Sequence, residues 1–95
     1  MHVVVRSYSG SGASELFDLI EKSEDEIREL ITGVPGFVTY SAFRSGDGGT
    51  TVTVCQDKAG TDESSNRAAG WIKENAGGTS VSPPEITDGD TVLHF

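Results

Sequence analysis

His2-Val3-Val4-Val5-Arg6-Ser7-Tyr8 is the stretch on which the reading of this chain turns. Successive strand residues point to opposite faces, which divides it into Val3/Val5/Ser7 and His2/Val4/Arg6/Tyr8. Valine occurs in both sets, so the strand is covered on both of its faces. One face must meet the chain's own helices. The other needs cover from elsewhere, and a second copy of the same sheet is the simplest candidate.

Downstream, Ser9-Gly10-Ser11-Gly12 is a turn or loop, after which Leu16, Ile20, Ile27, Ile31 and Val34 recur at helical spacing. Ser14 or Ser11 is expected as the N-cap, and Gly33 and Pro35 end the run. The stripe favours one continuous helix, although Ser23-Glu24-Asp25-Glu26 is a capping-box pattern at which the helix would break instead. Asp18, Glu21, Asp25 and Glu29 lie off the stripe and form a solvated face. Residues 37–44 and 51–57 alternate cleanly around Gly46-Asp47-Gly48-Gly49, which makes a β-hairpin. Gly60-Thr61-Asp62-Glu63 starts a second helix with Thr61 as N-cap. Its expected buried stripe is Ser65, Ala68, Ala69, Ile72 and Ala76, and Gly77-Gly78 stops it. Ser82-Pro83-Pro84 is extended, Asp88-Gly89 reads as a turn, and a last strand is expected over 91–95. The order β-α-β-β-α-β closes most simply into a ferredoxin-like α+β domain spanning 1–95. Its four-stranded antiparallel sheet would carry two helices on one face.

Composition bounds the function. Seven basic against 15 acidic residues give a formal charge of −8, which repels nucleic-acid phosphates and anionic membrane surfaces. No apolar run is long enough to cross a bilayer. Val3-Val4-Val5 is too short for a signal-peptide core, and the chain reads as cytoplasmic. The one cysteine, Cys55, excludes an intrachain disulfide and any CxxC pattern, and among β-formers it reads as a small buried hydrophobe. His2 and His94 are the only histidines. On neighbouring first and last strands the two would approach, but two imidazoles without a third ligand make no metal site. No serine or cysteine triad and no phosphate-loop lysine is present, and no cofactor is expected.

The whole chain resembles the antibiotic-biosynthesis-monooxygenase-like group of the dimeric α+β-barrel superfamily. The residues that carry the resemblance are Arg6 and Tyr8 in the first strand, the Val34-Pro35-Gly36-Phe37 joint, Thr51-Val52-Thr53-Val54, Trp71, and the closing Val92-Leu93-His94-Phe95. It implies a homodimer with the two sheets face to face and a small-molecule pocket between helices and sheet. It also implies cofactor-independent oxygenation or haem degradation as activities. The haem-degrading pattern calls for a first-strand asparagine and a second-helix histidine, and this chain has neither.

Trp71 and Asn75 are one helical turn apart and would share a pocket wall, or Trp71 would simply pack. The resemblance gives an asparagine and a tryptophan the task of holding substrate, which makes Asn75 and Asn66 the positions to examine. Asn66 lies five residues before Trp71, a rotation of roughly 140° that puts it on another face. Phe17, Tyr40, Arg6 and Tyr8 complete the candidate pocket, with register deciding whether the strand residues line it or the interface between sheets. Two functions stay open: a cofactor-independent oxygenase acting on a planar organic substrate, and a ligand-binding or structural dimer without turnover.

Overall fold

The computed structural model describes residues 1–77 and 81–95. Seven elements follow one another: β1 His2–Tyr8, α1 Ala13–Lys22, α2 Glu24–Thr32, β2 Phe37–Ser45, β3 Gly48–Cys55, α3 Lys58–Asn75 and β4 Glu85–Asp90. The sheet order is β2-β3-β1-β4 with antiparallel pairing throughout, the ferredoxin-like arrangement the element order demands. Among the described residues no helix is long and apolar enough to cross a membrane.

β1 has the division expected of it. His2, Val4, Arg6 and Tyr8 are buried while Val3, Val5 and Ser7 are only half-buried, so the first set meets the helices. Register carries this onto β3, where Thr51 lies opposite Arg6, Thr53 opposite Val4 and Gly49 opposite Tyr8. At Gly49 a Cβ would run into the Phe17 ring. Its absence lets that ring lie on the strand and pack edge-on against Tyr8, centroids 6.1 Å apart. The hairpin turns at Gly46, whose φ of 60° suits the first position of a two-residue turn.

The expected single first helix is corrected to two. The Ser23 N–H still bonds to the Leu19 and Ile20 carbonyls, but its own φ and ψ of −109° and 27° leave the helix. Glu24, Asp25 and Glu26 then occupy the first turn of α2, where the helix dipole favours them. The Ser23 hydroxyl makes no capping bond, so charge placement, and not a closed capping box, accompanies the break. At the start of α1, neither Ser11 nor Ser14 is the cap. Gly12 holds that position at φ 84°.

α3 begins earlier than expected, with Asp57 as N-cap accepting a bond from the Gly60 N–H. Thr61 is within the first turn, its hydroxyl donating to the Lys58 carbonyl. The buried face is Gly60, Thr61, Ser64 and Trp71, whereas Ala69 is exposed and Ser65, Ala68 and Ile72 are half-buried. Of the expected Gly77-Gly78 stop, Gly78 lies outside the described residues.

The last strand is also corrected: it is Glu85–Asp90, and after a half-buried Thr91 residues 92–95 form an exposed tail containing His94. Asp88-Gly89 has turn chemistry, yet tertiary pairing overrides it. β4 lies along β1 with Asp90 opposite His2. The buried His2 ring is bracketed there, Nδ1 3.0 Å from Asp90 Oδ1 and Nε2 2.8 Å from Asp88 Oδ2. His2 therefore approaches carboxylates, not His94.

Both ring nitrogens can donate only in the imidazolium. The bonds to Asp90 and Asp88 raise the His2 pKa above its ordinary value, and the bond from His2 lowers that of Asp88. A raised folded-state pKa contributes stability that is complete below the unfolded value of about 6.5 and is lost as pH rises through the folded one. For Asp88 the contribution is complete above its unfolded value and disappears as pH falls through the lowered one. Urea denaturation should therefore show stability declining as pH rises above about 6.5, with His2→Gln flattening that decline. An unchanged pH profile in the variant would show that this bracket does not secure β4.

Candidate functional site

Arg6 sits midway along the central strand, 2% exposed. Its Nε donates to Thr51 Oγ1 at 3.1 Å and its Nη2 to Thr53 Oγ1 at 2.7 Å. Nη1 donates to Ser64 Oγ at 3.2 Å and to Ser65 Oγ at 2.9 Å. Two strand threonines and two helix serines thus surround the guanidinium. Close approach of α3 makes this reach feasible. At Gly60 a Cβ would press against Cys55 and the Pro35 carbonyl, so only glycine allows the helix to lie so near β3. All four partners are neutral, and none of the ion pairs of the described residues includes Arg6. Burial alone lowers its pKa from the arginine value, partly offset by Tyr8, Tyr40 and Cys55.

Around this cation the structure brings together Tyr8, Tyr40 and Trp71. They line a small cavity of about 30 Å³ whose remaining walls include Ile27, Ile31 and Thr51. A wider cleft of about 500 Å³ runs between α1, α2 and β2 along Phe37 and Ala42. Ile20, Ile27, Ile31 and Tyr40 are walls of both. Burial raises the pKa of both tyrosines, with Arg6 opposing it, so both phenols are neutral at physiological pH and available as donors. No carboxylate or imidazole lines the small cavity. The small cavity can therefore orient and stabilise an oxygen-bearing ligand without a base of its own, while the carboxylates of Glu21 and Glu24 line the wider cleft beside it.

The other candidates fall elsewhere. Phe17 supports Tyr8 from behind and does not line the cavity. Asn75 is exposed, and its amide donates to the Trp71 carbonyl at 2.9 Å. Asn66 is exposed as well. The asparagine role implied by the resemblance thus has no side chain in this cavity. Cys55 is fully buried, and burial followed by Asp57 pushes its thiol pKa up, the behaviour of a core residue. Among the described residues no group of three or more metal-ligating side chains comes together.

The sequence reading missed the hydroxyls of Thr51, Thr53, Ser64 and Ser65. Alternation puts Thr51 and Thr53 on one face, but only the β1–β3 register aligns that face with Arg6. It also missed Glu26, whose Oε1 accepts the Trp71 indole N–H at 3.0 Å. This bond ties α2 to α3 and orients the ring over the cavity.

No protein-family model and no curated protein matches the chain. Solved structures do share its fold. One is a protein of unknown function from Nitrosomonas europaea, with TM-score 0.70 and 21% identity over 99% of this chain and 90% of that one. A candidate monooxygenase from Shewanella loihica aligns with TM-score 0.58 and 17% identity, covering 98% and 95%. A variant of SnoaB, a cofactor-independent oxygenase from Streptomyces nogalater, aligns with TM-score 0.55 and 16% identity, covering 98% and 92%. These likenesses extend to the ferredoxin-like fold seen in the monooxygenase-like group. At such identities they do not extend to chemistry.

Trp71 is 8% exposed and hydrogen-bonded, so it carries packing as well as a cavity wall. Trp71→Phe should cost about 1–3 kcal/mol in urea denaturation, from the lost ring volume and the lost indole bond to Glu26. A change within about 0.5 kcal/mol would show that the indole is not part of the core.

Proposed function

We propose that the protein is a homodimeric small-molecule enzyme of the cofactor-independent oxygenase kind, acting on a planar phenolic or enolic substrate. The observation that carries this is a cavity whose lining brings Arg6, Tyr8 and Tyr40 together with Trp71 and isoleucines. Preorganised donors in an apolar site stabilise an oxygen on which negative charge develops. A flat ring fits the adjoining cleft. With no base in the cavity, an acidic substrate must supply its own reactive anion. The net change for an activated methylene is CH2 plus O2 giving C=O plus H2O, which needs no further oxidant. SnoaB, described as a cofactor-independent oxygenase, shares the fold and supports the reading by analogy.

The helix-free face of the sheet supports the dimer. Val3, Val5 and Val52 are half-buried on the helix-free face, Phe43 there is 53% exposed, and the tail leaves Val92, Leu93 and Phe95 in solvent. A second sheet packed on this face would cover the strand side chains.

Binding without turnover is the second reading, favoured by the missing base. An oxygen electrode with 1,8-dihydroxyanthrone separates the two. Uptake above the buffer rate, reduced at least about tenfold in Tyr40→Phe, is expected for the enzyme. Bound ligand with uptake at the buffer rate would leave a binding protein. Sedimentation equilibrium should give a dimer that Val5→Asp converts to monomer; a wild-type monomer at micromolar concentration would remove the dimer from the proposal.

A further inference from the structure

An arginine retains its charge at any physiological pH, and a charge withdrawn from water requires an opposite charge or a full set of hydrogen bonds. The chain is rich in acids, and it pairs its exposed cations freely. Arg28 meets Glu24, Arg44 meets Asp18 and Glu21, Lys58 meets Asp62, and Arg67 meets Glu63. The one cation buried in the centre of the sheet is given hydroxyls only. Of the five guanidinium protons those hydroxyls occupy four, leaving one on Nη2 without a partner among the described residues. Arg6 also lines the cavity that Tyr8, Tyr40 and Trp71 enclose.

We propose that the missing counter-ion of Arg6 is the ligand's own, and that the site selects organic monoanions, a single oxyanion at Arg6 with a flat apolar body along Ile20, Ile27, Ile31 and Phe37. This rests on the placement of the ligand site given above, and it goes further in making one negative charge, neither none nor two, the basis of selection whether or not the ligand reacts. A neutral ligand leaves the guanidinium uncompensated. A dianion fails for a different reason: the cleft walls include Glu21 and Glu24, and the one cation there, Arg28, is already held by Glu24 at 2.8 Å. A second negative group would lie against carboxylates. One charge, placed at the inner end, is what the arrangement accommodates.

Isothermal titration calorimetry of the intact protein with three probes tests this: 2-naphthoate, its neutral isostere 2-naphthamide, and 2,6-naphthalenedicarboxylate. At about pH 7.5 the monoanion should bind at least about tenfold tighter than either of the others, as a charge-assisted bond in an apolar site requires. Arg6→Met should abolish the preference for naphthoate over naphthamide and lower the melting temperature, since the buried Thr51, Thr53 and Ser64 hydroxyls lose their donor. Arg6→Lys should retain the preference. Equal affinities for naphthoate and naphthamide in the wild type, or no binding of either, would overturn the proposal whatever the variants do. So would Arg6→Met with its preference intact. The probes contain no activated methylene, so the result is independent of turnover. Naphthoate selectivity without oxygen uptake from the anthrone removes the oxygenase reading alone, and uptake without selectivity removes this one alone.

Discussion

The guanidinium of Arg6 is the constraint from which the rest of the molecule follows. Its bonds reach Thr51 and Thr53 on β3 and Ser64 and Ser65 on α3, so one side chain of the central strand clamps sheet to helix. The clamp has geometric conditions. α3 must lie close, which Gly60, Thr61 and Ser64 permit by being small on its buried face. Once the helix is held there, Trp71 follows two turns after Ser64 on the same side, and Glu26 on α2 receives its N–H. Tyr8, two residues from Arg6 on the same strand face, is braced by Phe17 across the gap left at Gly49. Each aromatic wall of the cavity is thus positioned relative to the same cation.

The acidic excess has a comparable logic at the periphery. Arg44 on β2 reaches Asp18 at 2.6 Å and Glu21 at 2.9 Å on α1, fastening the hairpin to the first helix. Those groups are well exposed, and solvent screening leaves pairs of this kind little net stabilisation. Their effect is to fix where α1 lies over β2, and hence the width of the cleft. His2 does the same for the opposite edge. β4 has no buried residue, so its place in the sheet depends on its backbone ladder with β1 and on the carboxylates bracketing the imidazole. Inward-pointing charge on an edge strand also discourages unintended pairing with other chains.

What could be read from the sequence divides along these same lines. Period-two alternation in β1 and β3 and the helical stripe from Leu16 to Val34 located the sheet, the hairpin and the helical region, because each was bound by its own residues' burial. The failures came where a partner far along the chain decided the outcome. Asp88-Gly89 has the residues of a turn and is held extended by His2. α3 buries Gly60, Thr61 and Ser64, polar or side-chain-free residues that a search for an apolar stripe passes over, and the expected stripe was consequently rotated away from Trp71. At the site, Arg6, Tyr8, Tyr40 and Trp71 were legible as polar and aromatic residues on defined faces. The four hydroxyls around Arg6 were not, since neither threonine nor serine carries a signal until register puts it beside a charge. Asn75 was attractive by its spacing from Trp71 as well as by resemblance and Asn66 by resemblance, and the helix turns both to solvent.

A chain of 95 residues has little stability to spare, because a small domain buries a modest fraction of its surface and retains only a narrow margin over chain entropy. Placing an uncompensated guanidinium at the centre of its sheet works against that margin. An apolar residue of similar volume would avoid desolvating a charge, at the cost of leaving the buried Thr51, Thr53 and Ser64 hydroxyls without their donor. Two sources of free energy lie outside the isolated chain. A second sheet on the helix-free face would add burial to Val3, Val5 and Val52, and a ligand anion would supply the charge that the hydroxyls lack. A ligand bound only by the folded state stabilises that state by RT ln(1 + [L]/Kd), about 2.7 kcal/mol at a hundredfold excess over Kd. That is comparable with the penalty an uncompensated buried ion imposes. Fold stability and ligand charge are therefore linked through one residue, so the cost of Arg6 in the empty protein and its selectivity in the occupied one are two measures of the same electrostatic imbalance.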